Sequence, residues 1–249
     1  LIDKPTAKRL YELGNAGAII SLEGFEEATD ARRGKGTFKR IMQAMDNLKE
    51  LGVPFGTSLT VTRKNVYEIT SDEFVDFIIS KGVMMAWYFL FMPVGKDPDV
   101  NLMPTAEQRD HLRRRGIEIR NSKPIFIADF WNDAPHVGGC IAGGRQYFHI
   151  NANGDVEPCV FTHFAVDNIK GKTLKEILLS PFFQDIRSRQ PYTDNLLRPC
   201  MIIDNPYVYR EVVKKHNARP THQGAEDVVT KSDVTSFIDK YAESVKQLY

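Results

Sequence analysis

The chain has 249 residues, with 33 Lys and Arg against 32 Asp and Glu, so its net charge is +1. That balance gives no global pull toward nucleic acid or an anionic membrane, and no apolar run nears the roughly 20 residues of a membrane span. The length suffices for a large core in one domain or two. No export signal is visible, so a cytoplasmic location is expected.

Residues 5–13 read as a short helix with Leu10 and Leu13 inward and Gly14 as its stop. Ala18 to Gly24 is an apolar run with a polar tip, the look of a strand buried on both faces. A loop holding Asp30, Arg32, Arg33 and Gly34 follows. Thr37 is then placed as the cap of a helix whose inner face carries Ile41, Met45 and Leu48. Phe55 to Thr62 is the next strand. Ser71 caps a helix with Phe74 and Ile78, and Met84 to Met92 is a third strand closed by Pro93-Val94-Gly95. Thr105 and Gln108 form a capping box for a helix running into Arg113-Arg114-Arg115. Strand and helix alternate three times, which predicts parallel strands with crossover helices.

From Pro124 the period changes. Ile125 to Phe130 is a short strand, placed at the start of a second domain. Gln146 to Ile150 alternates and is rich in β-formers, Asn151-Ala-Asn-Gly-Asp is turn chemistry, and Val156 onward returns as a second strand. Such a hairpin draws Cys140 and Cys159 toward each other. Thr173 and Glu176 make another capping box, Ser180-Pro181 and Asn205-Pro206 start two helices, residues 218–231 look like a linker, and an amphipathic helix closes the chain.

Only three cysteines are present, Cys140, Cys159 and Cys200. Two at a hairpin and one on a later loop fit a thiolate site for iron–sulfur or zinc, and three unrelated buried thiols would look the same by count. The absence of a Cys-x-x-Cys pair weakens zinc, and the odd count weakens disulfides. His136, His149 and His163 surround the hairpin and are each expected to be at the surface or hydrogen-bonded, though one could be a metal ligand or donate to one.

The order Cys140, thirteen residues, Gly154, four residues, Cys159, a gap, then Cys200 resembles the auxiliary-cluster motif of SPASM/twitch domains, which stand at the C-terminal end of radical S-adenosylmethionine (SAM) enzymes. Upstream, Ile20-Ser-Leu-Glu-Gly resembles the fourth-strand motif of radical SAM barrels, with Glu23 in place of the usual Asp. Phe55 to Asn65 resembles the fifth strand, and Tyr88 to Gly95 the sixth. The resemblance implies an α/β fold: the C-terminal part of a partial (β/α)6 TIM-like barrel, followed by a small α+β auxiliary-cluster domain. It sets a barrel part at residues 1–123, a twitch/SPASM-like iron–sulfur domain at 124–217, and a linker with a C-terminal helix at 218–249. The Cys-x3-Cys-x2-Cys loop and the Gly-Gly-Glu motif of such enzymes would lie before Leu1, so the sequence is expected to be N-terminally truncated.

The same resemblance implies an auxiliary [4Fe–4S] cluster on Cys140, Cys159 and Cys200, SAM as cofactor, and a second [4Fe–4S] cluster held by the missing segment. SAM contacts are expected from Ser21, Glu23, Gly24, Arg33, Ser58, Thr60 and Asn65, and from Pro93, Val94 and Gly95 near the adenine. The implied activity is reductive cleavage of SAM to a 5′-deoxyadenosyl radical that abstracts hydrogen from a small-molecule or peptide substrate, with a flavodoxin or ferredoxin as electron donor. Three cysteines leave one iron to another ligand, for which Asp204 is a candidate. The alternative is a non-catalytic iron–sulfur or zinc-binding module, a remnant without the SAM-cleaving cluster.

Overall fold

The structure is a computed structural model that describes residues 2–95 and 98–249. It divides into two compact units, Leu1–Phe91 with Leu102–Phe130, and Met92–Asn101 with Trp131–Tyr249.

The first unit contains α1 (Lys4–Leu13), β1 (Ala18–Leu22), α2 (Glu26–Arg33), α3 (Thr37–Glu50), β2 (Phe55–Val61), α4 (Val66–Ile69), α5 (Asp72–Ser80), β3 (Met85–Leu90), α6 (Ala106–Ser122) and β4 (Phe126–Asp129). Its four strands form one parallel sheet in the order β1-β2-β3-β4. Parallel neighbours need crossovers, and the helices supply them. Met45, Leu48, Leu59, Phe74, Ile78, Tyr88, Leu90 and Leu112 form the buried core.

Five expectations are corrected here. The strand at residues 125–130 does not open the second domain: Met85 to Tyr88 of β3 pair with Phe126 to Asp129 of β4 in parallel register, because α6 is one more crossover. The run Ala18–Leu22 is not buried on both faces, since β1 lies at the sheet edge and Ile19 stays exposed. Leu13 is exposed too, and Ala7 is the buried residue of α1. Residues 26–33 are a helix, not a loop. It has acids in its first turn and Arg32 and Arg33 in its last, which suits the helix dipole. Thr37 is the first residue of α3 rather than its cap. The Asp30 carboxylate instead takes the Gly36 and Phe38 amides at 2.6 and 2.8 Å, and those bonds hold its pKa below the usual carboxylate range. The boxes at Thr105–Gln108 and Thr173–Glu176 close as the sequence predicts.

The second unit contains α7 (Ala134–Val137), β5 (His149–Ile150), β6 (Val156–Glu157), β7 (Phe164–Ala165), α8 (Leu174–Leu178), α9 (Pro181–Ser188), α10 (Pro206–Lys215), β8 (Arg219–Pro220), α11 (Asp227–Thr230) and α12 (Ser232–Leu248). β5 and β6 form the antiparallel hairpin, with His149 opposite Glu157 and Ile150 opposite Val156. β7 pairs with β8, so the segment expected to be a linker is structured. Val156, Phe164, Phe182, Phe183, Ile186, Val212 and Ile238 fill this unit's core. No helix among the described residues is long and apolar enough to cross a membrane.

Candidate functional site: three thiols and a polar strand edge

The hairpin turn depends on two residues. Gly154 takes φ +89°, a region that L side chains rarely adopt. Asn151 Oδ1 accepts the amides of Asn153 and Asp155 at 2.9 and 3.1 Å, closing an Asx turn. Polar side chains then fix the backbone of each cysteine. Gln190 donates to the carbonyls of Cys140 and Ala142 at 3.3 and 3.0 Å. Arg145 donates to the carbonyls of Val137, Gly138 and Gly139 just before Cys140. Thr162 Oγ1 accepts the Cys159 amide at 3.0 Å and donates to its carbonyl at 2.9 Å. Asn205 donates to the Cys200 carbonyl at 3.3 Å, and Asp204 Oδ2 accepts the Cys200 amide at 3.0 Å.

All three thiols are free of disulfides. Cys200 Sγ accepts the Ile202 amide at 3.4 Å, and backbone amides one to three residues on from each cysteine act on its thiol. Burial raises all three pKa values, Cys200 to about 12, and the amide bonds oppose that rise. Cys159 feels the charges of both other cysteines, so the three are neighbours electrostatically. Among the described residues, no three Cys, His, Asp or Glu side chains converge closely enough for one metal ion. Thiolates on a cubane each bind a different iron, so they stand wider apart than the ligands of a single ion. Three free thiols that do not converge on one point fit a cluster better than a lone zinc.

The histidines go elsewhere. His149 Nδ1 lies 2.6 Å from the buried Glu157 carboxylate, and His163 meets His222 at 2.5 Å. His136 is exposed at α7. Arg145, Thr162, Gln190 and Asn205 are the residues that sequence reasoning missed. They act through local and long-range backbone bonds, which leave no spacing pattern.

In the first unit, seven expected SAM contacts gather at the C-terminal ends of β1 and β2. Ser21 and Ser58 are register partners, and Ser58 in turn partners Trp87. Ser58 and Thr60 are half-buried on one face of β2 while Thr57, Leu59 and Val61 are buried on the other. Trp87 and Phe89 continue that open face, with ring centroids 4.7 Å apart. Every residue of β3 is apolar, so its sequence could not show which face they take.

Glu23 and Arg33 pair with each other. Arg33 Nε and Nη2 donate to Glu23 Oε1 at 2.9 and 2.6 Å, and Arg32 Nη1 lies 3.5 Å from Oε2. Glu23 thus occupies the guanidinium edge that a bound carboxylate would use. Asn65 has spent its valences: its Oδ1 accepts from Thr62 N and Oγ1, and its Nδ2 donates to the carbonyls of Glu23 and Thr60. It ties the tip of β1 to that of β2 and has none left for a ligand, against the expectation of a direct contact. Gly24 takes φ +137°, and a Cβ there would stand 2.9 Å from the Glu68 carboxylate, which accepts the Phe25 amide. Gly24 is favoured by that backbone angle, and the Glu68 carboxylate packs against its bare Cα. Pro93, Val94 and Gly95 lie in the segment Met92–Asn101 of the second unit.

Residues 140–202 match SPASM, an iron–sulfur cluster-binding domain. The chain is 25% identical over 230 residues to an AdoMet-dependent heme synthase of Nitratidesulfovibrio vulgaris, covering 80% of this chain and 61% of that protein. It is 31% identical over 181 residues to the mycofactocin maturase MftC of Mycobacterium tuberculosis, covering 68% of this chain and 46% of that one. The chain thus spans about half to three-fifths of the length of these relatives. In fold it is similar to Streptococcus suis SuiB bound to its precursor peptide SuiA, with a TM-score of 0.60 at 16% identity over 92% of this chain and 57% of SuiB. Cysteine arrangement and matched domain agree: residues 140–202 carry a SPASM iron–sulfur cluster-binding domain, and the chain is similar to AdoMet-dependent and maturase proteins.

Proposed function

We propose that this chain is the strand-edge and auxiliary-cluster part of a radical SAM enzyme that modifies a peptide. The observation that carries the reading is the set of three free thiols, close enough that Cys159 feels the charges of the other two, inside the matched segment. When bound, SAM and its [4Fe–4S] cluster supply a 5′-deoxyadenosyl radical that abstracts a substrate hydrogen.

This chain's own residues hold and shield. Cys140, Cys159 and Cys200 would ligate the auxiliary cluster, and the amides at their sulfurs favour the thiolate form. Asp204, whose charge acts on Cys200, is the candidate for the fourth position. If the magnetic resonance of the reduced cluster is the same in Asp204→Asn, that assignment is wrong. Ser21, Ser58 and Thr60 would offer hydroxyls to SAM, while Trp87 and Phe89 exclude water beside them. Glu23 would hold Arg33 in place, and Pro93-Val94-Gly95 would lie toward the adenine. A peptide is favoured as substrate class because MftC is a maturase and SuiB was solved with a precursor peptide. A flavodoxin or ferredoxin would supply the electron.

The test is release of 5′-deoxyadenosine by the full-length, cluster-loaded protein given SAM and a reductant without oxygen. We expect release, and Ser58→Ala should weaken SAM binding by about 1 kcal/mol with iron content intact. A loaded protein that leaves SAM whole would refute the proposal.

A further inference from the structure

The second unit holds a polar cavity of about 480 Å³ for which the roles above give no use. Its wall includes Tyr192, Thr193, Asp194, Arg198, Tyr207 and Lys246. Tyr192 is near enough to the thiols to feel the charge of all three, so the cavity adjoins the cysteine site.

Its cations are under-used. Arg198 lies two residues before Cys200. Its Nη2 makes one long bond, 3.4 Å to the Asp204 carbonyl, and its buried Nε has no partner. A guanidinium has five donors, and leaving a buried one unmade costs free energy. Lys246, near the end of α12, has Glu243 as its carboxylate neighbour at 3.8 Å, beyond hydrogen-bond reach. The ten-residue helix α10 also begins at this wall. Its N-cap, Asn205, makes no side-chain cap, and its Nδ2 donates to the carbonyls of Arg198 and Cys200. The first turn of α10 therefore lacks a side-chain cap where the dipole favours negative charge.

We propose that this cavity binds the carboxylate of an organic ligand through Arg198 and Lys246. Two cations against the one acid of the wall, Asp194, leave a single positive charge. That suits a monoanion better than a dianion. The volume exceeds what a bare ion needs and suits a carboxylate carried on a body the size of an amino acid or a short peptide end. The inference does not rest on SAM chemistry.

The test is calorimetric titration of the full, cluster-loaded chain. The probes are N-acetylglycine, acetyl-dialanine with a free carboxylate, its C-terminal amide, and inorganic phosphate. The free acid should saturate one site, with the amide about tenfold weaker or more. Added salt should weaken the acid. Arg198→Gln and Lys246→Gln should each lower affinity about tenfold, and Asp194→Asn should improve phosphate severalfold. Lys246 sits on an exposed helix end, so that variant should keep the wild-type melting temperature and decides the matter if Arg198→Gln does not fold. Equal binding of both acids supports a small organic acid; binding of acetyl-dialanine alone supports a peptide end. Acid and amide binding alike, unchanged affinity in Lys246→Gln, or no saturable binding of either acid would overturn the proposal.

Discussion

Gly154 and Asn65 each hold a position that no other side chain could take without loss. A Cβ on Gly154 would stand 2.9 Å from Asn168 Oδ1 and 3.0 Å from Ile169 Cγ1, at a backbone angle of φ +89°. Gly154→Ala should therefore destabilise the second unit by about 2 kcal/mol in a urea melt, since the left-handed region alone costs roughly 1–2 kcal/mol. Its iron content should fall as well, and an unchanged midpoint would show that the turn relaxes freely. Asn65→Ala strands the buried carbonyls of Glu23 and Thr60, so we expect a loss of about 3 kcal/mol. Asn65→Asp should do worse, because it points acceptors at two carbonyls. If Asn65 were a dispensable ligand contact instead, both variants would melt like wild type. Gly154 was legible from spacing and turn chemistry. Asn65 was visible only as a polar residue after a strand, since its partners at residues 23 and 60 meet it through the fold.

At the scale of elements, side-chain caps were the legible signals. Ser71, Thr105 and Thr173 all accept the expected amides, because a cap is a local bond between residues three apart. The helix Glu26–Arg33 was missed for the same reason: its N-cap is Phe25, with no capping side chain. The hairpin strands are shorter than alternation suggested. The amides of Gln146 and Tyr147 both turn back to the Ile141 carbonyl, and the Tyr147 hydroxyl accepts the Val160 amide, so those residues serve the loop behind Cys140.

What fixes the hairpin from outside is Asp155. It accepts from Arg219 at 2.5 Å and from Asn168 at 2.8 Å. The Arg219 guanidinium, more than the Asn168 and Asn151 amides, lowers its pKa to about 2 against the opposing effect of burial. A depressed carboxylate adds stability that is full above its ordinary value near 4 and lost as pH falls through about 2. Arg219 is half exposed, so we discount the contribution to about 1 kcal/mol. Urea melts at pH 5 and pH 2.5 should show wild type losing about that much more than Asp155→Asn. Parallel losses would mean that the clasp adds nothing.

For the whole molecule, alternation of strand and helix gave the parallel sheet, because periodicity and crossover length are properties of contiguous sequence. The boundary between the units was less legible. The strand Phe126–Asp129 pairs with β3 rather than with the cysteine hairpin, and nothing in four apolar-to-acidic residues names a partner. The thiol site was legible as a set of three cysteines, whereas the side chains that fix them, from Arg145 to Asn205, come from separate loops and were not. The central claim is that these thiols together hold an iron–sulfur cluster. Its most direct measurement is iron, acid-labile sulfide and zinc per chain after anaerobic reconstitution, in wild type and in the variant with Cys140, Cys159 and Cys200 all changed to Ser. The account predicts iron and sulfide in matching amounts in wild type, with an absorption shoulder bleached by air, and neither in the variant. Stoichiometric zinc without sulfide, or equal iron in both proteins, would contradict it.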